Sequence, residues 1–193
     1  AQTSRSMVFF LTRNFSMIAF ANAIEPLRLA NRILGRPYYR WRIASLDGGE
    51  ERASNGAAVL AETSLAEERR RCSAEPPDFV FVCAGLGIEK QDTRALWPWL
   101  RALDARGVGV GGVCTGSWVL AEAGLLDGKR CSIHWETLPA FAERFPEAQV
   151  YADIYEVSQN VFTCPGGTAA LDMMLGIIEA DHDETLVMRL CEQ

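Results

Sequence analysis

The sequence reads as a single α/β domain, a mostly parallel sheet with helices on both faces. Two observations carry this. Short, continuous apolar runs alternate with stretches of helical spacing, as parallel strands buried on both faces alternate with their crossover helices. The fourth run, Val108-Gly109-Val110, then passes through Gly111-Gly112-Val113-Cys114-Thr115-Gly116-Ser117-Trp118 into a helical pattern, which is the signature of a sharp strand-to-helix elbow. At 193 residues the chain is long enough for one well-cored domain and short for two.

The elements follow in order. Met7 to Leu11 is the first strand, and Phe15 to Leu34 a helix with apolar Ile18, Ala21, Ile24 and Leu27 at helical spacing. Gly35-Arg36-Pro37 stops that helix, and Pro26 is expected to kink or divide it. Tyr39 to Leu46 is the second strand, Asp47-Gly48-Gly49 a turn, and Gly56 to Leu60 part of a small β-ribbon. Arg69-Arg70-Arg71, after Glu67-Glu68 and before a Pro-containing loop, reads as a solvated helix end. Asp78 to Cys83 is the third strand, closed by the flexible Ala84-Gly85-Leu86-Gly87 loop. Thr93 to Ala105 is helical, with Trp97-Pro98-Trp99 assigned to surface or dimer packing, and Gly107 to Val113 is the fourth strand. Beyond the elbow, Gly124 to Gly128 is a break, and His134-Trp135-Glu136 opens a helix through Arg144. Val150 to Phe162 holds two or three short strands. Cys164-Pro165-Gly166-Gly167-Thr168 is a second Gly-rich turn into a helix from Ala169 to Glu179. After an Asp181-His182-Asp183 linker, residues 184 to 193 are amphipathic. The missing initial Met and the abrupt stop read as cut ends.

Composition narrows the function classes. Apolar residues make up 49% of the chain, charged residues 23%, and the net charge is −6, whereas a surface that binds DNA by itself needs a basic stripe. No apolar run approaches membrane-spanning length, and the mostly polar Ala1 to Ser6 followed by a short apolar run is no secretion signal. Six scattered cysteines without a C-x-x-C pair, some inside apolar runs such as Phe79 to Cys83, point to buried reduced thiols in a cytoplasmic protein. The two histidines leave no metal constellation of usable spacing, and no cofactor motif is present.

In such sheets ligands bind beyond the carboxyl ends of the strands. Thr12 to Ser16, Ala84 to Gly87 and the Cys114 elbow all reach that edge and are expected to converge on one pocket. At the elbow Cys114 should adopt a strained backbone, flanked by glycines that let neighbouring backbone pass closely, with its thiolate favoured by the following helix N-terminus. The site suits either nucleophilic chemistry or a small polar ligand.

Four motifs carry a family resemblance: Glu25-Pro26-Leu27-Arg28 with Ala30-Asn31, Val113 to Trp118, His134-Trp135-Glu136, and Gly166-Gly167-Thr168-Ala169-Ala170-Leu171-Asp172-Met173-Met174. In this order they resemble the DJ-1/PfpI (class I glutamine amidotransferase-like) superfamily, and within it the N-terminal domains of AraC-type transcription regulators of glycine betaine, carnitine and arginine catabolism. The resemblance implies a flavodoxin-like sandwich over residues 1–193. It also implies a small amine or amino-acid-like effector, a homodimer, and DNA binding only through a helix-turn-helix domain that would follow this chain.

Enzymes of the superfamily place an acidic residue on the helix after the first strand. Counted back six positions from the residue matching Glu25, that place falls at Ala19, and Thr115 stands where many hydrolase-like members carry His. The resemblance therefore implies a degenerate site that senses rather than catalyses; a stand-alone cysteine hydratase, amidase or glyoxalase using Cys114, or a redox-responsive Cys114, is the alternative. The candidate ligand-binding residues are Cys114, Thr115, His134, Trp135, Gly85, Leu86, Gly87, Phe15 and Glu25. Cys114 could equally be a small residue that tolerates the turn, and His134 a cap for a helix starting at Trp135. Trp135 and Phe15 could be core or an aromatic box for a quaternary ammonium. Glu25 could meet a cation or pair with Arg28. The Gly85-Leu86-Gly87 amides could hold a carboxylate.

Overall fold

The computed structural model describes residues 4–193, so the first three residues of the polar N-terminal run lie outside it. The chain begins with β1 (Arg5–Leu11), α1 (Met17–Leu34), β2 (Tyr39–Ser45), a ribbon of β3 (Gly49–Arg52) and β4 (Ala58–Ala61), and the two-residue β5 (Thr63–Ser64). α2 (Leu65–Ala74), β6 (Phe79–Cys83), α3 (Trp97–Ala105), β7 (Gly109–Val113) and α4 (Gly116–Glu122) complete the region up to the elbow helix. β8 (Arg130–Cys131), α5 (Leu138–Arg144), β9 (Gln149–Val150), β10 (Glu156–Ser158), β11 (Val161–Cys164), α6 (Ala169–Asp181) and α7 (Glu184–Cys191) follow.

Seven strands form the main sheet in the order β10-β11-β7-β6-β1-β2-β5, and all its pairs are parallel except β10 with β11. Alternation along β1 divides the core. Val8 and Phe10 face a layer with Leu100, Leu103, Val119 and Phe141, while Met7, Phe9 and Leu11 face one with Ala23, Leu27, Met173 and Ile178. Helices therefore cover both faces, as the apolar runs imply. All six cysteines are free and five are buried. Among the described residues no helix is long and apolar enough to cross a membrane.

Several boundaries differ from the sequence reading. α1 is one helix through Pro26, capped by the Ser16 hydroxyl and ended by Gly35 at φ 66°. Packing of its buried face, Ala19, Ala23, Pro26, Leu27 and Ala30, holds the proline turn in line. Trp99 lies inside the core against the Phe10 ring at 5.8 Å, and Trp97 donates from its indole to the Thr93 hydroxyl, so this cluster is no surface patch. α2 supplies the helix to which Arg69–Arg71 belong; its capping box joins Ser64 and Glu67 in both directions. α5 starts at Leu138, four residues later than expected, because Trp135–Thr137 form a turn that closes with the Thr137 N–H on the His134 carbonyl.

Candidate functional site

The site grows from the carboxyl edge of the central strands. After β7 the chain reverses at Cys114, whose φ of 63° lies in the left-handed region that non-glycine residues rarely adopt. The reversal needs bare backbone beside it: a Cβ on Gly116 would stand 2.1 Å from the Val82 carbonyl oxygen. Hydrogen bonds fix both ends of the turn, with the Cys114 N–H donating to the Cys164 carbonyl at 3.0 Å and the His134 N–H to the Cys114 carbonyl at 3.3 Å.

The three edge segments meet as expected. The Ser16 N–H donates to the Ala84 carbonyl at 3.1 Å, and Phe15 bridges both Gly85 and Ala53 of the ribbon turn. The Thr115 hydroxyl, buried, donates to the Gly85 carbonyl at 2.7 Å, so this side chain clips the loop to the elbow. The Gly85-Leu86-Gly87 loop thus offers a carbonyl at this point of contact. Beyond it Leu86 is exposed and Gly87 leads into a short helical turn over Ile88–Lys90. Behind the elbow, Ser117 donates to the Ser132 carbonyl at 2.7 Å and Ser132 donates to the Thr163 carbonyl at 3.0 Å, which anchors the strand leading to His134.

Burial decides the state of the thiol. It pushes the Cys114 thiol up to about 11, outweighing the Thr115 N–H and the Ser16 hydroxyl, which favour the thiolate, while Glu136 adds a smaller upward push. The helix N-terminus favours the thiolate as expected, but burial outweighs it, and at neutral pH Cys114 is a protonated thiol. Ala19 is buried in the same apolar cluster as Cys114.

Other expected site residues are dispersed. Phe15 is 0% exposed and packs edge-on against Phe20, so its ring presents no face to a ligand. Glu25 sits on the exposed face of α1 with Arg28 at 2.5 Å, about 13 Å along the helix from Ser16 at 1.5 Å rise per residue. It does not join the elbow. His134 caps no helix, since the α5 N-cap is Thr137. Trp135 is exposed, its ring 5.9 Å from that of His134.

Two contributors escaped the sequence reading. Ser16 is both the α1 N-cap and the hydroxyl acting on Cys114; a Ser just before a helical run signals the first role only. Gly166, at φ 95°, is pressed against Cys114, where a Cβ would stand 2.8 Å from the Cys114 Cβ and 3.0 Å from its Sγ. The second Gly-rich turn therefore closes over the elbow, which the Gly pair in sequence marks as a turn but cannot place.

The comparisons with known proteins agree with this geometry. The DJ-1/PfpI family model matches residues 6–180. The HTH-type transcriptional regulators GbdR and CdhR of Pseudomonas aeruginosa are each 42% identical to this chain, over 188 and 190 residues. These alignments cover 97% and 98% of this chain but 50% and 54% of the regulators, so the chain spans about half the length of these curated relatives. The crystal structure of an AraC family transcriptional regulator from Pseudomonas putida superposes with a TM-score of 0.86 at 27% identity, covering 97% of this chain and 98% of that one. An enzyme also matches: the isonitrile hydratase of Pseudomonas putida is 36% identical over 128 residues, 63% of this chain and 54% of the enzyme. With the sheet, the elbow at Cys114 and the matched span all in agreement, the chain belongs to the DJ-1/PfpI family.

Proposed function

We propose that this domain is the effector-sensing part of an AraC-type transcription regulator and does not catalyse. The observation that carries the reading is an elbow kept in full backbone geometry while its chemistry is dismantled. Cys114 holds φ 63°, yet its thiol is buried and protonated, buried Ala19 stands where the family resemblance implies an acid, and the Thr115 hydroxyl is engaged by the Gly85 carbonyl. Resemblance to GbdR and CdhR across nearly the whole chain supports it. In this reading a small amine or amino-acid-like effector of the betaine, carnitine or arginine class binds beside Cys114, Thr115, Gly85–Gly87 and His134–Trp135. DNA is contacted through a further helix-turn-helix domain, in the cytoplasm, by a homodimer whose two-fold axis matches paired operator half-sites. Effector binding shifts the population of DNA-competent dimers by its different affinity for the two states.

The test is a thermal-shift screen of glycine betaine, carnitine, choline derivatives, arginine and related amino acids on wild type and Cys114→Ala. A ligand at about 100 times its Kd stabilises by about 2.7 kcal/mol. A saturable shift with the compound unaltered after incubation supports sensing. The similarity to isonitrile hydratase favours one second reading, an enzyme with Cys114 as nucleophile. It requires a compound that wild type consumes and Cys114→Ala does not, and that result overturns the sensor. Light scattering of the purified domain checks the dimer.

A further inference from the structure

The groups set against the Cys114 thiol are neutral: the Ser16 hydroxyl, the Thr115 backbone N–H and Gly166, with Ala19 in the same apolar cluster. A cation carried into that interior would be desolvated without a counter-charge, which costs several kcal/mol. A cationic ligand that reaches the elbow must therefore keep its charge at the rim. The rim is apolar. Ile18 is 58% exposed, Leu86 61% and Trp135 72%. Each lies one or two positions from a residue of the converging segments: Ser16, whose N–H donates to the Ala84 carbonyl, Gly85 through the Thr115 bond, and His134 through its N–H to the Cys114 carbonyl. Isolated exposed apolar side chains mean little, but these three sit on the chain segments that converge on the elbow. Beside Trp135 stands the exposed carboxylate of Glu136, the charged side chain whose field reaches the Cys114 thiol. Two other candidates for meeting a cation stand away from the rim, with the Phe15 ring fully buried and Glu25 paired to Arg28 on another stretch of α1.

We propose that the specificity-determining residues of this site are Trp135 and Glu136, which hold a diffuse cation, a quaternary ammonium or a guanidinium, at the rim between Ile18 and Leu86. The indole face supplies cation–π attraction and the carboxylate supplies the counter-charge. The polar remainder of the ligand then points inward to the elbow. This inference rests on the sensing reading above and assigns which side chains select the effector.

The test is calorimetric titration of the 193-residue chain with glycine betaine, L-carnitine and L-arginine. A fourth probe, 3,3-dimethylbutanoate, replaces the quaternary nitrogen of betaine with carbon and so removes only the charge. Variants are Trp135→Ala, Glu136→Gln and, as a control outside the site, Glu25→Gln. The expected result is that each rim variant weakens the bound cation about tenfold, while Glu25→Gln leaves it unchanged. If betaine is the bound probe, wild type should prefer it to its carbon isostere, and Trp135→Ala and Glu136→Gln should each shrink that preference. Binding of a cationic probe at wild-type affinity by both rim variants overturns this inference and leaves the sensing reading intact. Failure of wild type to bind any of the three cations overturns the effector class as well. Both rim side chains are exposed, and circular dichroism confirms that the variants fold.

Discussion

At Gly166 a side chain is excluded twice over. Its φ of 95° is strained for any L-residue, and a Cβ would meet the Cβ of Cys114 at 2.8 Å and its Cα at 3.0 Å. Neither neighbour is the end of a flexible chain, so backbone must move. Gly166→Ala is therefore expected to lower stability by at least about 2 kcal/mol in urea denaturation and to abolish effector-induced thermal shifts. Unchanged stability would mean that the turn does not press on the elbow. The neighbouring thiol gives a second expectation. Cys114 ionises near 11, so its thiolate fraction at pH 7.5 is on the order of 10⁻³ to 10⁻⁴. Iodoacetamide at that pH should label exposed Cys191 well before Cys114, as read by peptide mass spectrometry. Rapid labelling of Cys114 would reopen the nucleophile reading.

At the scale of elements, the junction of α6 with α7 is tied to the opposite end of the sheet from the elbow. Asp181, the last residue of α6, accepts from Arg5 Nε at 2.9 Å and Nη2 at 2.6 Å and from the Tyr39 hydroxyl at 3.1 Å. One carboxylate thus fastens the helix pair to the first residues of β1 and β2. Asp181→Ala is expected to cost about 2–3 kcal/mol, because a buried hydroxyl and part of a guanidinium lose their acceptor, and urea midpoints measure it. A cost below about 0.5 kcal/mol would show the junction to be held by apolar packing alone. Nothing in the sequence marks Asp181 for this role, since its partners lie 142 and 176 positions away. Elements were legible where a local signal was strong. The runs at β1, β6 and β7 and the elbow declare themselves, because continuous apolarity and glycine punctuation are local properties. β5 and β8, at two residues each, are too short to show a period. The start of α5 is displaced because the Trp135–Thr137 turn has helix-compatible residues, and the break expected at Pro26 does not occur because buried packing overrides a local preference. Of the candidate site, the convergence of three loops followed from topology. The burial of Phe15, the separation of Glu25 and the closure by Gly166 depend on tertiary placement, which spacing does not encode.

Over the whole molecule, the buried thiols give stability a one-sided dependence on pH. Burial pushes Cys72, Cys114 and Cys131 up to about 11, Cys164 up to about 12 and Cys83 well above the usual value of 9.0. In the unfolded chain these thiols ionise near 9.0; in the folded chain they keep their protons to higher pH. Between those limits the folded state binds more protons than the unfolded state, so stability falls as pH rises. Below about pH 8 both states are protonated and the thiols contribute no slope. The loss begins near pH 9 and continues through 11 to 12. Cys114 alone withdraws about 2 kcal/mol by pH 11, because each tenfold fall in proton activity between the two ionisations costs about 1.4 kcal/mol. Tyr39, whose phenol is raised by burial and by Asp181, acts with the same sign above pH 10. Urea midpoints measured under reducing conditions should be level from pH 7 to 8 and should drop steeply from pH 9 to 11. Replacing Cys114 and Cys131 with Ala should flatten that drop, even though each substitution lowers stability at neutral pH by removing core volume. A level profile to pH 11 in the unsubstituted chain would mean that the thiols are reached by water. The neutral, inert elbow on which the sensing proposal depends would then fail with it.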